Sequence, residues 1–422
     1  MGVNHSPCHP RGARGRDRGS TGTAILRSPR LLLPSLPARV SPPYNPCPVP
    51  LPTLRTLALV LVAGIAFAQP APPAPSSFDD LARRADAARA AERLDEADSL
   101  YRQALALRPK WAEGLFYVGT MAYDRDRFEP CRDAFRRLSV LEPKMAPAWG
   151  FLGLCEFRLA AYAKAREHLE HALSLGMPPE GDLTRTILYH HALLLVRESK
   201  FEPALVPLRA LLSSRAPTPE VRDVCGLVLL RRPNLPAEVP AADRTLLREA
   251  GQAYCAQLDR HTDAAVRLFA ALVEKRPRER HLHYGYGLAL AQAGSAESLD
   301  QFRREIELFP DDVLARVELA FGLLARGREQ EAIAPGEAAA RLAPGLFATH
   351  LVLGRALVAT GKLPRGIREI ETAAAMAPHI PEVHIALARA YAKAGRKADA
   401  DRANAVFLAL EGARRKVAPA KP

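Results

Sequence analysis

Six short stretches centred on a proline recur along the chain: "LRPKW", "LEPKM", "KRPRE", "LFPDD", "LAPGL" and "MAPHI". Their prolines stand at 109, 143, 277, 310, 344 and 378, so the gaps from 109 to 143, 310 to 344 and 344 to 378 are each 34 residues. A fixed period of this length means stacked copies of one small unit, none of which can bury its apolar face alone. Between the prolines the residue types also repeat. A Gly or Ala (Gly119, Gly153, Ala192, Gly287, Ala320, Gly354, Ala388) falls where a first helix must cross its partner closely. A second small residue (Ala97, Ala165, Ala204, Ala265, Ala332, Ala400) answers it on the following helix, and large residues such as Tyr101, Phe135, Leu169, Leu208, Phe269 and Phe302 fill the remaining gap. Proline closes each unit because it cannot continue one helix and can begin the next.

The fullest copy is Trp149-x-x-Leu152-Gly153 followed by Ala165, Leu169 and Ala172, and the same slots hold Leu353, Gly354, Leu357, Ile370, Ala373 and Pro378 near the end. On these residues the chain resembles the tetratricopeptide repeat, a helix-turn-helix unit of 34 residues. The resemblance covers about residues 78–410 and implies an all-α, right-handed superhelical solenoid. The units read 78–111, 112–145, 146–179, about 185–218, 246–278, 279–312, 313–346, 347–380 and 381 to about 410. Four units therefore form an N-terminal array (78–218) and five a C-terminal one (246–410), and residues 411–422 read as a basic disordered tail. Local kinks are expected at Pro207 and at Pro335-Gly336, which stand inside second helices.

The count breaks between Pro219 and Asp243. A helix fits Glu220 to Arg231, but Pro233, Pro236 and Pro240 follow within eight residues. The expectation for 219–245 is an unpaired or irregular helix and a loop.

The segment before the repeats is of another kind. Arg55, the apolar run Leu57–Ile65 and Ala66-Phe67-Ala68 before Gln69 have the parts of an export signal, with cleavage after Ala68. The run is too short to span a bilayer; an uncleaved anchor is the alternative. Residues 1–48 are rich in Pro, Arg and Gly with one acidic residue, Asp17, and cannot bury a core. They read as a disordered extension, or as lying ahead of a start near Val49 or Leu51. Residues 49–68 are then the signal, 69–77 a Pro/Ala linker, and the working protein is periplasmic or secreted. Removing the eight Arg and one Asp before Gln69 lowers the formal net charge of +13 to about +6. With those charges dispersed over helix faces and no clustered basic surface, nucleic acid is not expected as a partner.

The chemistry-bearing residues are sparse. Cys131, Cys155, Cys225 and Cys255 have no CxxC spacing and are read as buried free thiols at close helix crossings, although an exported chain permits disulfides. His190 and His191 are adjacent and must point to different faces. His281 and His283 are two apart, where helical metal ligands need three or four. No nucleophile elbow, phosphate loop or HExxH motif occurs. Neither an enzyme, a cofactor nor a metal is expected.

What remains is a surface. The resemblance implies a concave face lined by the first helices, at the second, fifth, ninth, twelfth and thirteenth slots of each unit. In the last three units these hold Leu314, Val317, Phe321, Leu324 and Ala325; Ala348, Leu351, Arg355, Val358 and Ala359; and Glu382, Ile385, Arg389, Ala392 and Lys393. Val317, Phe321, Leu324, Leu351, Arg355, Ile385, Arg389 and Lys393 are the candidate partner-binding residues. They suit an extended or helical segment with apolar side chains and an acidic group. Chaperone-binding relatives hold a carboxylate with Lys at the fifth slot and Asn at the ninth. Here those slots hold Val317 and Phe321, Leu351 and Arg355, Ile385 and Arg389, so that binding is not expected. The function expected is a non-catalytic, exported scaffold for a partner protein. A self-associating array and a carbohydrate-handling envelope protein are the alternatives.

Overall fold

The computed structural model describes residues 77–178 and 181–417. The extension, the signal and all but the last residue of the Pro/Ala linker lie outside them. All regular structure among the described residues is helical. Hairpins are formed by α1 (Phe78–Ala90) with α2 (Leu94–Leu107), α3 (Ala112–Asp124) with α4 (Phe128–Leu141), α5 (Ala146–Arg158) with α6 (Tyr162–Ser174), and α7 (Asp182–Arg197) with α8 (Phe201–Ser214). After a single helix α9 (Pro219–Leu229) come α10 (Arg244–Leu258) with α11 (Thr262–Lys275), α12 (Leu282–Gln292) with α13 (Ser298–Leu308), and α14 (Val313–Ala325) with α15 (Glu329–Leu342). The last two hairpins are α16 (Phe347–Ala359) with α17 (Leu363–Met376) and α18 (Pro381–Lys393) with α19 (Lys397–Val417). Each helix packs on the next, and first helices also touch first helices of the following hairpin, as α5 does α7 and α14 does α16. This is the contact pattern of a solenoid.

The small slots do what the sequence requires of them. A β-carbon on Gly119 would fall 2.6 Å from the Phe135 ring, one on Gly287 2.5 Å from Phe302, and one on Gly354 2.5 Å from Ile370. Within each hairpin the chain reverses through one left-handed residue. In the nine hairpins these are Glu92, Asp126, Ala160, Ser199, Arg260, Gly294, Gly327, Gly361 and Gly395, and Arg231 takes the same conformation after the single helix α9.

Two further devices repeat, and neither was read from the sequence. Six side chains donate to the carbonyl six residues behind them, in the turn before each first helix: Trp149 to Pro143, Thr184 to Pro178, His283 to Pro277, Arg316 to Pro310, His350 to Pro344 and His384 to Pro378, at 2.7–3.1 Å. They satisfy carbonyls that a proline turn would leave open. On the other side, an arginine ending one first helix covers the aromatic ring that opens the preceding second helix. Arg158 lies over Phe128 (4.2 Å), Arg197 over Tyr162 (4.5 Å) and Arg231 over Phe201 (4.7 Å).

The break holds a first helix without its second. α9 ends on left-handed Arg231 and stacks Arg231 on Phe201 as a first helix does, but two short 3-10 turns, Pro236–Glu238 and Ala241–Asp243, stand where its second helix belongs. With no second helix between them, α10 closes directly on α9. A β-carbon on Gly226 would lie 2.2 Å from the Leu247 carbonyl oxygen and one on Gly251 1.9 Å from that of Arg222, so only glycine permits this crossing. Pro207 and Pro335 sit inside continuous helices, and next to the latter Gly336 lets α15 approach the Leu353 backbone of α16.

Cys131 and Cys155 are not free thiols. They form a disulfide between α4 and α5, with Cα atoms 6.2 Å apart. Small slots on facing helices bring sulfurs together as readily as they seat thiols, and the sequence does not separate the two. Cys225 and Cys255 are free and buried between α9 and α10; burial, and then the hydrogen bond with Cys255, push the Cys225 thiol well up. At the C-terminus, α19 stays helical to Val417, seven residues beyond the expected end of the array.

Candidate protein-binding face

The candidate residues divide in two. Val317 and Leu351 are buried, at 5% and 6% exposure, in the contacts between neighbouring first helices. They belong to the core rather than to a free surface. Phe321, Leu324 and Ile385 are half-buried, and Arg355, Arg389 and Lys393 are exposed. Lys393 is already engaged, because its Nζ donates to the carbonyls of Val358 (2.8 Å) and Ala359 (3.1 Å) and so caps the end of α16. The accessible strip is therefore narrower than the sequence suggests: Phe321 on α14, Arg355 on α16 and Arg389 on α18.

These three are arranged as a unit. The Arg355 guanidinium lies over the Phe321 ring, 5.4 Å from its centroid. Partial burial and then the Arg389 charge beside it pull its pKa below the ordinary guanidinium value, and no carboxylate opposes them. Among the described residues neither arginine forms an ion pair or a side-chain hydrogen bond, whereas some arginines nearby, Arg365 with Glu337 and Arg396 with Asp399, are paired. Two adjacent unpaired guanidinium groups with an aromatic floor have the donors to pair with an anion.

The histidines behave as helix-face reasoning expects in one case and not in another. His190 turns inward, donating from Nδ1 to the Thr186 carbonyl (2.8 Å), while His191 turns toward Glu170 (3.2 Å). Burial, with a smaller contribution from Arg158, pulls the His190 pKa down to about 4. His281 is not in helix α12 but precedes it in a left-handed conformation. It meets Glu305 and Asp312, residues 24 and 31 positions away, which no local spacing could have revealed.

Among the surface hollows of the described residues is a shallow depression of about 510 Å³ lined by Trp149, Glu167, His168, Glu170, His171 and Ser174. It lies away from the arginine strip. The Trp149 ring is occupied on its own chain by His171, whose ring meets it edge-on at 4.6 Å.

Comparison with known proteins places the repeats in a family. A family model described as tetratricopeptide repeat matches residues 259–298 and 351–414, which fall on α11–α13 and α16–α19. No curated protein matches the chain. Among solved structures, MamA from residue 41 to its end, from Desulfovibrio magneticus RS-1, is 19% identical over 39% of this chain and 94% of that one, with a TM-score of 0.36. A MamA structure from AMB-1 is 21% identical over 38% and 96%, with a TM-score of 0.34. The family-model match and the repeating small-slot geometry together mark the two matched segments as tetratricopeptide repeats.

Proposed function

We propose that the protein is a non-catalytic, exported scaffold that holds a segment of a partner protein on the first-helix face of its last three hairpins. The observation that carries this is the unpaired Arg355–Arg389 couple beside Phe321. A partner segment fits if it supplies one or two carboxylates to the guanidinium groups and an apolar side chain to Phe321, Leu324 and Ile385. Pairing would relieve the repulsion between the two cations, so the contact has more to gain than an ordinary surface ion pair, which is worth about 0–1 kcal/mol. Export rests on the signal-like stretch at 49–68.

The test is affinity capture from envelope and secreted fractions with the tagged protein, beside a variant carrying Arg355→Glu and Arg389→Glu. A protein held by the parent, lost by the variant and competed by an acidic peptide from its own sequence supports the proposal. Equal retention by both moves the site off this face. Recovery of the protein itself alone, with self-association lost in the variant, replaces the scaffold by a self-assembling array.

A further inference from the structure

Glu305 is fully buried on α13, and its carboxylate reaches back to the start of α12. Its Oε1 accepts from the His281 amide (2.6 Å) and its Oε2 from the Tyr284 amide (3.1 Å). Asp312 opens α14, where its Oδ1 accepts from the Ala315 amide (2.8 Å). These contacts use one lone pair of each of three oxygens and aim the rest of both carboxylates at one point. Into that point turns the imidazole of His281, 7% exposed. His281 Nδ1 and Asp312 Oδ2 lie 3.1 Å apart, yet neither completes an aligned hydrogen bond with any protein atom. One nitrogen and two carboxylate oxygens thus converge within 4.8 Å of one another, in the interior of a helical array.

The nearest alternative cation does not fill the position. Arg280 comes no closer than 4.0 Å to Asp312 and is bonded to Asp311 at 3.0 Å. Around a tetrahedral divalent ion with bonds of about 2.0–2.2 Å, neighbouring donors stand roughly 3.3 Å apart, close to the observed separation of His281 Nδ1 and Asp312 Oδ2. A mixed N,O,O donor set suits zinc and its neighbours better than magnesium or calcium, which prefer oxygen alone. The amide hydrogen bonds to Glu305 and Asp312 serve as the outer support that holds ligating carboxylates in place.

We propose that His281, Glu305 and Asp312 form a structural site for a divalent ion of the zinc class, tying together the starts of α12 and α14 through α13. The ion binds His281 through Nδ1 and takes one oxygen from each carboxylate, with its fourth position left to water.

The test uses the full-length protein, stripped with a chelator and titrated with zinc chloride alone. The expected result is one zinc per chain by calorimetry and elemental analysis, with a rise in Tm that chelator reverses. Two variants are chosen to keep the fold: His281→Asn, because asparagine tolerates the left-handed conformation, and Asp312→Asn, which keeps the oxygen that caps α14. Each should show the metal-free circular dichroism of the parent and lose more than the roughly 10- to 100-fold of zinc affinity that outer-shell changes cost. The proposal is overturned by a parent that takes up no zinc at this stoichiometry, or by equal uptake in His281→Asn. It is also overturned if both variants lower the metal-free Tm while zinc moves neither them nor the parent, since the cluster is then a plain buried ion pair.

Discussion

Single residues decide how well the turns and the interior of this array tolerate their sequence. The left-handed residue of the third hairpin is Ala160, exposed and with a β-carbon. That conformation costs a non-glycine residue about 1–2 kcal/mol. Ala160→Gly should therefore raise stability by about 1 kcal/mol, after the greater freedom of glycine in the unfolded chain is subtracted; the urea midpoint measures it. His190 sets a pH dependence. Its folded pKa of about 4 lies below the unfolded value near 6.5, so the folded state favours the neutral ring. The stabilisation is complete above about pH 6.5 and falls as pH drops toward 4, because the unfolded chain takes up the proton first. Between pH 7 and pH 5 the loss from this residue should be about 2 kcal/mol, and His190→Leu should flatten that part of the profile. The groups facing His190 are Arg158, the Thr186 carbonyl and the rings of Phe157 and Tyr189.

Pairs of helices carry the specificity of the stacking. At the crossing of α9 and α10, Gly226→Ala or Gly251→Ala drives a β-carbon into a backbone carbonyl, and a backbone cannot rotate away as a side chain can. Each should cost about 3 kcal/mol, while Gly412→Ala, on α19 with nothing within 4 Å, should gain about 0.5–1 kcal/mol. Urea denaturation of the three variants separates close packing from helix propensity. The Cys131–Cys155 link closes 24 residues, so Cys131→Ser with Cys155→Ser should lower stability by about 3 kcal/mol relative to the oxidised parent. Hairpin partners were legible in the sequence because each has its own small slot, as Gly119 has against Phe135. The pairing of α9 with α10 was not, since Gly226 and Gly251 lie outside the 34-residue register and become informative only once the missing second helix is known.

At the scale of the molecule, period and residue type together specify a helical solenoid, and the first-helix face follows from the period. Which of its slots stay open does not. Val317 and Leu351 occupy the same slot as half-buried Ile385, and whether that slot faces solvent depends on how tightly one first helix turns against the next. The metal cluster was hidden for a similar reason, because His281, Glu305 and Asp312 meet only when α12, α13 and α14 are stacked. Amino-terminal sequencing of protein recovered from the envelope or medium should begin at Gln69, and peptides from residues 11–39 should be missing from the cell's proteome. Recovery of those peptides removes the reading of 1–48 as outside the working protein.

The crossing of α9 and α10 also determines how the array carries mechanical load. At most other crossings side chains lie between successive helices and can change rotamer as the helices slide, although Gly354 and Gly366 bring the backbones of α16 and α17 nearly as close. Where Gly226 and Gly251 meet facing carbonyls there is no such layer, and a close-packed backbone contact deforms little. Pulled from its ends, the array would yield first at the crossings packed by side chains, before this backbone contact opened.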